Sequence, residues 1–89
     1  MRTSTIYKSR IAGAGSSFAL ALGVTFRERR QHLGLSQAAV GQPLSRAYVS
    51  LIEHGRVMPS LGSLVLMSDH LGLSAWELLL LVHRRMTSE

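Results

Sequence analysis

The sequence predicts an all-α domain built from five helices. Apolar residues recur three and four positions apart in the segments between residues 16 and 85, which is helical spacing. Serine residues precede these segments and glycine or proline follows them, as at helix starts and stops. The sequence has no run of alternating apolar and polar residues between hairpin turns, and no internal repeat. A chain of 89 residues fits a single domain.

The first helix is predicted to begin after Ser16 or Ser17, because either serine can cap it, and to stop at Gly34. Arg30 is the exception on an otherwise apolar stripe. A guanidinium that turns inward needs an anion within reach, because an unpaired buried charge is costly. The stripe consists of Phe18, Leu22, Phe26, Arg30 and Leu33.

The second helix is predicted to be short. Ser36 caps it, and it runs from Gln37 to Gln42. Pro43 must end it, because proline has no N–H and disfavours helix in the residue before it.

The third helix is predicted to start at the cap Ser45 and to continue through about His54. Val49 and Ile52 face inward, and Gly55 follows as a left-handed stop. The outer face carries small or polar residues. Such a face suits a helix that enters the major groove of DNA, where base edges are read by short-range polar contacts.

Two more helices are predicted downstream. Pro59 and Ser60 open the fourth, and Gly72 closes it. Ser74 and Glu77 have the spacing of a reciprocal capping box, and this box starts a fifth helix that continues through about residue 85. The apolar face of the fourth helix is predicted to be Leu61, Leu64, Val65 and Leu71.

The charge of the chain predicts a polyanionic partner. Ten Arg and Lys residues face five Asp and Glu residues, and nine of the ten cations are arginine, which binds phosphate through two parallel hydrogen bonds. Net charge alone leaves nucleic acid and an acidic membrane surface open. No apolar run approaches the roughly 20 residues that a membrane span needs.

The domain division is predicted to fall between residues 15 and 16. Residues 1–15 combine Ser, Thr, Gly and Ala with three cations and no acid, and they cannot form a packed core. They are predicted to be a flexible basic arm, either a plain tail or a segment that lies along DNA. Residues 16–89 form the folded domain.

Three stretches, taken together, resemble one family. They are FRERRQHLGLSQ at 26–37, LSRAYVSLIEHGRVMPSLGSLVLMSDHLGLS at 44–74, and the WELL that begins at Trp76. The chain resembles the Cro/C1-type helix-turn-helix regulators, also called the XRE family, over about residues 20–81. The resemblance implies a five-helix lambda-repressor-like fold that binds double-stranded operator DNA as a dimer, with its third helix in the major groove.

The resemblance also assigns DNA-binding residues. Gln37 matches a glutamine of the family that binds a DNA phosphate, and Ser45 matches the cap of the family's recognition helix. Arg56 matches a cation that faces the DNA backbone, and Tyr48 offers a further phosphate contact or packs at the domain edge. Arg46 is expected to read a guanine through its O6 and N7, unless it contacts a phosphate or only solvent. The base-facing positions are Arg46, Ala47, Ser50 and Leu51.

Arg30 and Glu53 match an internal ion pair of the family. Glu53 follows Val49 by four residues and so turns inward as well, which agrees with the need of Arg30 for an anion. The chain departs from the family between Gln37 and Ser45, where the family usually has two more residues. The angle between the second and third helices depends on this shorter link.

Five consecutive apolar residues, 78–82, lie on the fifth helix, although only one stripe of a helix can face the core of so small a domain. We therefore predict a homodimer interface there, against the alternative of monomer core with scattered surface leucines. Its predicted members are Leu78, Leu81 and Val82.

No enzyme, cofactor or metal site is predicted. The chain has no cysteine, which suits a reducing cytoplasm, and no nucleophile lies beside a base. The alternative function is a protein-interaction module, as in an antitoxin that holds a toxin. The histidines are too scattered for metal spacing: His32, His54, His70 and His83.

Overall fold

A computed structural model describes the backbone of residues 3–87 and the side chains of residues 17–87. Within this described part the helices are the only regular secondary structure, and the predicted all-α fold of five helices is confirmed. The helices are α1 (Thr3–His32), α2 (Gln37–Gly41), α3 (Arg46–Glu53), α4 (Leu61–His70) and α5 (Ala75–Thr87).

The predicted starts and ends of the helices are confirmed at most boundaries. Three serine side chains accept hydrogen bonds from backbone N–H groups three residues ahead, each at 3.1 Å, and so cap α2, α3 and α4. Ser74 and Glu77 form the reciprocal capping box at the start of α5. Left-handed glycines follow α1, α3 and α4, with φ between 69° and 72°. These residues are the caps Ser36, Ser45 and Ser60 and the glycines Gly34, Gly55 and Gly72.

The start and the end of α1 differ from the prediction. The helix begins at Thr3, not after Ser16 or Ser17, because no proline interrupts the segment ahead of them. Leu33 is exposed instead of buried, since it lies beyond the last helical residue, and Leu35 packs on the core in its place. The predicted arm, residues 1–15, lies outside the part of the chain whose side chains are described.

The core lies where all five helices meet. Leu22 and Phe26 of α1 pack with Val40 of α2 and with apolar side chains of α3, α4 and α5. The two long helices α1 and α5 pack side by side, and α2 and α3 form a second packed pair beneath them. The remaining core residues are Val49, Ile52, Leu64, Met67, Leu71, Leu78 and Val82.

The inward face of α4 differs from the prediction. Leu61 is 71% exposed and Val65 is 51% exposed, so neither belongs to the core. The buried stripe has the spacing i, i+3, i+4 and i+7, and Val65 lies outside it. Leu61 is exposed for a different reason, because it is the first residue of α4 and lies at the end of the helix. Ser68 belongs to the stripe because its hydroxyl donates a hydrogen bond to the Leu64 carbonyl at 2.7 Å. The members are Leu64, Met67, Ser68 and Leu71.

Two of the predicted dimer residues are core residues of a single chain. Leu78 and Val82 have no exposed surface, because they face α1 and α4 from α5. The prediction that they contact a second copy is therefore wrong. Leu81 is 37% exposed and keeps a surface that a partner could reach.

Among the described residues, no single helix has the length and apolar character of a membrane span. The pair α4 and α5 meets those limits only when the two helices are taken together, across a 95° bend.

Candidate nucleic-acid interface

Helices α2 and α3 form a compact pair joined by residues 42–45. Val40 and Val49 are fully buried between them. Gly41 allows the close approach, because a β carbon at this position would lie 2.7 Å from Cγ2 of Val49. The shorter link is therefore compatible with a closely packed helix pair, and the last residue of α2 is the glycine that makes the contact possible.

Helix α3 has one buried and one exposed face. Val49 and Ile52 are fully buried on the inward face. The N-terminal turn presents Ser45, Arg46 and Ala47 to solvent, and Leu51 continues this face with 44% of its surface exposed. A helix that shows short side chains and one arginine at its exposed N-terminal end has the shape needed to approach base edges.

Two of the predicted contact residues on α3 are less accessible. Tyr48 is half-buried and packs against the core. Ser50 is also half-buried, and its carbonyl oxygen lies 2.7 Å from Nδ1 of His54. A carbonyl can only accept, so Nδ1 of His54 donates in this contact. His54 is exposed at the end of α3, and the sequence interpretation did not include it among the contact residues.

The structure brings Arg30, Glu53 and Gln37 together. Arg30 binds both carboxylate oxygens of Glu53, Nε to Oε2 at 2.5 Å and Nη2 to Oε1 at 3.0 Å. Its Nη1 donates to the Leu35 carbonyl at 2.9 Å. Gln37 donates from Nε2 to Oε1 of Glu53 at 3.1 Å. The carboxylate of Glu53 in α3 therefore holds Arg30 of α1 and the first residue of α2, and Arg30 in turn holds the loop after α1.

Burial and pairing both act on the guanidinium of Arg30. The side chains of Arg30 and Glu53 are only 12% and 3% exposed. The hydrogen bonds that Arg30 donates to Glu53 raise the pKa of Arg30 above its ordinary value, and the negative charge of Glu53 acts in the same direction, against the effect of burial. The two-point geometry satisfies the carboxylate, so the pair stabilises the arrangement of α1 and α3.

The loop after α3 places one more cation beside the helix pair. The Arg56 backbone N–H donates to the Leu51 carbonyl at 2.9 Å, which turns the chain back across the end of α3. Gly55 adopts φ +69° at this turn, and Leu20 of α1 lies directly against it. The side chain of Arg56 is exposed.

The surface between residues 37 and 56 is electropositive. Its only acidic residue is Glu53, which is buried and neutralised by Arg30. Arg46 and Arg56 are both exposed. The segment therefore presents two accessible cations and no accessible carboxylate, which favours a phosphate-rich partner.

No group of three or more metal-ligating side chains occurs among the described residues.

The comparisons with known proteins agree with this geometry. Residues 21–81 match the family described as a helix-turn-helix domain. Two solved structures of the clp gene regulator ClgR from Corynebacterium glutamicum are similar to the chain, each at 26% sequence identity. One has a TM-score of 0.74 and covers 80% of this chain and 78% of that one. The other has a TM-score of 0.72 and covers 81% of this chain and 96% of that one. No curated protein matches the chain.

Proposed function

The chain belongs to the helix-turn-helix domain family, and we propose that it is a sequence-specific regulator of transcription that binds double-stranded DNA. It acts as a homodimer of the Cro/C1 type on a palindromic operator in the cytoplasm, and it represses the gene that the operator controls. The observation that carries the proposal is the exposed, acid-free face of α3, held against α2 with Arg46 at its N-terminal end.

Arg46 is the residue proposed to select the base. It lies in the first turn of α3, exposed, beyond the Ser45 cap. An arginine at the end of a helix in the major groove donates two hydrogen bonds to guanine, a pattern that other base pairs do not offer. Gln37 and Arg56 flank this helix and are proposed to bind phosphates, with Ser45, Ala47, Ser50 and Leu51 lining the same surface and Tyr48 at its edge.

Selection from a random duplex library at physiological salt, followed by sequencing of the retained duplexes, tests the proposal. We expect a palindromic site to be enriched by the unmodified protein, and this enrichment to be lost on Arg46→Ala. Arg27→Ala is the matched control, because it removes an exposed arginine from α1, outside the α2–α3 pair and outside the apolar surface of α5. Retention of DNA without enrichment, or loss of enrichment in both variants, would contradict sequence-specific reading by α3.

The dimer is proposed to form through the exposed apolar side chains of α5. Trp76 is 72% exposed, and Leu80 and Leu81 expose more than a third of their surface. Apolar surface of this kind on a small domain marks a contact with another macromolecule. An operator whose half-sites are one helical turn apart requires the two α3 helices of the dimer to lie roughly 34 Å apart.

Sedimentation at micromolar concentration tests the dimer. We expect twice the chain mass, reduced to the monomer mass by Trp76→Ala. Leu61→Ala is the control, because it removes an equally exposed apolar side chain from a different helix. A monomer for the unmodified protein would count against the dimer.

The same α5 surface supports a second candidate function, an antitoxin-like module that holds a protein partner. In that case Trp76→Ala would abolish capture of the partner while the protein showed little preference among DNA duplexes. The library selection separates the two functions.

A further inference from the structure

We propose that Glu53 is a positioning residue for DNA binding, because it orients the side-chain amide of Gln37. The inference rests on the proposed function. It gives Glu53, a buried residue that stabilises the fold, a second role in DNA binding.

The orientation follows from hydrogen-bond chemistry. Both oxygens of an ionised carboxylate can only accept hydrogen bonds. Oε1 of Glu53 already accepts from Nη2 of Arg30, and it accepts from Nε2 of Gln37 at 3.1 Å. Rotation of the Gln37 amide by 180° would bring its carbonyl oxygen against the carboxylate, and two acceptors would then face each other. Glu53 therefore selects one of the two amide orientations.

The selected orientation leaves a donor free. The amide nitrogen of Gln37 has two hydrogens, and only one of them binds Glu53. The second has no partner among the described residues. Gln37 is only half-buried, so its side-chain amide can be reached from solvent, beside the C-terminal end of α3 that carries Glu53. A phosphate oxygen is the acceptor that a DNA backbone would supply there.

The carboxylate is itself fixed. Arg30 holds both of its oxygens, and the Leu35 carbonyl holds the far side of the same guanidinium. The amide of Gln37 is thus oriented before DNA arrives, and its rotational freedom does not have to be lost on binding.

A double-mutant cycle tests the proposal. The joint change Arg30→Met and Glu53→Met replaces a buried ion pair by apolar side chains of similar size, a replacement that often preserves stability. We expect it to weaken operator binding about two- to tenfold when Gln37 is present, because the freed side chain of Gln37 must then be ordered on binding. In the background that carries Gln37→Met, the same joint change should leave the affinity unchanged. Equal losses in both backgrounds would overturn the proposal, because Glu53 would then act only through the fold or through the charge of Arg30.

A measurement on the unmodified protein tests the same point without any variant. In its NMR spectrum we expect the Gln37 side-chain amide to give one proton that exchanges slowly with water and one that exchanges fast. Rapid exchange of both protons would overturn the proposal. This measurement decides the question even if the Met variants do not fold. If the unmodified protein binds no duplex, the proposed function and this inference both fail, whereas operator binding with equal losses overturns this inference alone.

Discussion

Gly23 of α1 lies directly against the backbone of Ile52 in α3. A β carbon on Gly23 would be 2.5 Å from the Ile52 carbonyl oxygen and 2.7 Å from that of Glu53. The obstacle is backbone, which cannot rotate away as a side chain can. The position of α3 on the domain therefore depends on the absence of a side chain at residue 23.

Gly23→Ala is expected to destabilise the fold by about 1 to 3 kcal/mol, because α1 and α3 must move apart to admit the methyl group. Gly62→Ala is the matched control. Gly62 is a helical glycine with open space around its β position, so alanine should stabilise α4 by about 0.5 to 1 kcal/mol. Urea denaturation of both variants measures the two free energies of unfolding. A stabilised Gly23→Ala variant would show that the close contact is absent in solution.

Glu53→Ala is expected to lower the free energy of unfolding by about 3 to 5 kcal/mol, since it leaves the mostly buried guanidinium of Arg30 without its carboxylate. Glu28→Ala provides the comparison. Glu28 pairs with Arg85, but its side chain is 61% exposed, and such surface pairs contribute at most about 1 kcal/mol. Thermal unfolding followed by circular dichroism distinguishes the two, and an unchanged midpoint for Glu53→Ala would refute the structural role of the pair.

Gly41→Ala is expected to force α2 away from α3, because the new methyl group would overlap Cγ2 of Val49. The expected cost is about 1 to 3 kcal/mol. Combining it with Val49→Ala removes the overlapping group, so the two substitutions together should cost less than the sum of the separate losses. Strict additivity in denaturant titrations would contradict the contact.

Arg56→Ala is expected to weaken binding to all duplexes by a similar factor, because its partner is proposed to be a phosphate. The slope of log affinity against log salt concentration should fall by about 1. Arg46→Ala should instead lower the preference for the operator over unrelated DNA. Fluorescence anisotropy at several salt concentrations measures both quantities. A loss of sequence preference on Arg56→Ala would place that side chain at a base.

Local chemistry explains what could be predicted from the sequence. Ser36, Ser45 and Ser60 cap helices through residues only three positions away, and the glycine stops depend on backbone conformation at a single residue. Signals of this kind do not require knowledge of the rest of the fold. The stop at Gly55 also set the end of α3, and with it the extent of the exposed helix face.

Long-range packing explains what could not be predicted. Helical spacing shows that Val65 and Leu61 share a face with Leu64, but only the positions of the neighbouring helices determine which side of α4 is covered. In the same way, the row of leucines on α5 does not reveal that α1 and α4 cover Leu78 and Val82.

The contact between Gln37 and Glu53 was also beyond the sequence interpretation. It joins residues 16 positions apart on two different helices, and it depends on how those helices cross.

The first and last helices of the domain are tied to each other. Arg85 of α5 donates from Nε to the Thr25 hydroxyl of α1 at 3.0 Å, across 60 positions of the chain, and its Nη2 contacts Glu28. The α2–α3 pair therefore lies, along the chain, between two helices that contact each other directly. We expect the domain to unfold as one cooperative unit. A protease that cuts within α5 would weaken its packing on α1, and α1 is the helix against which α3 packs.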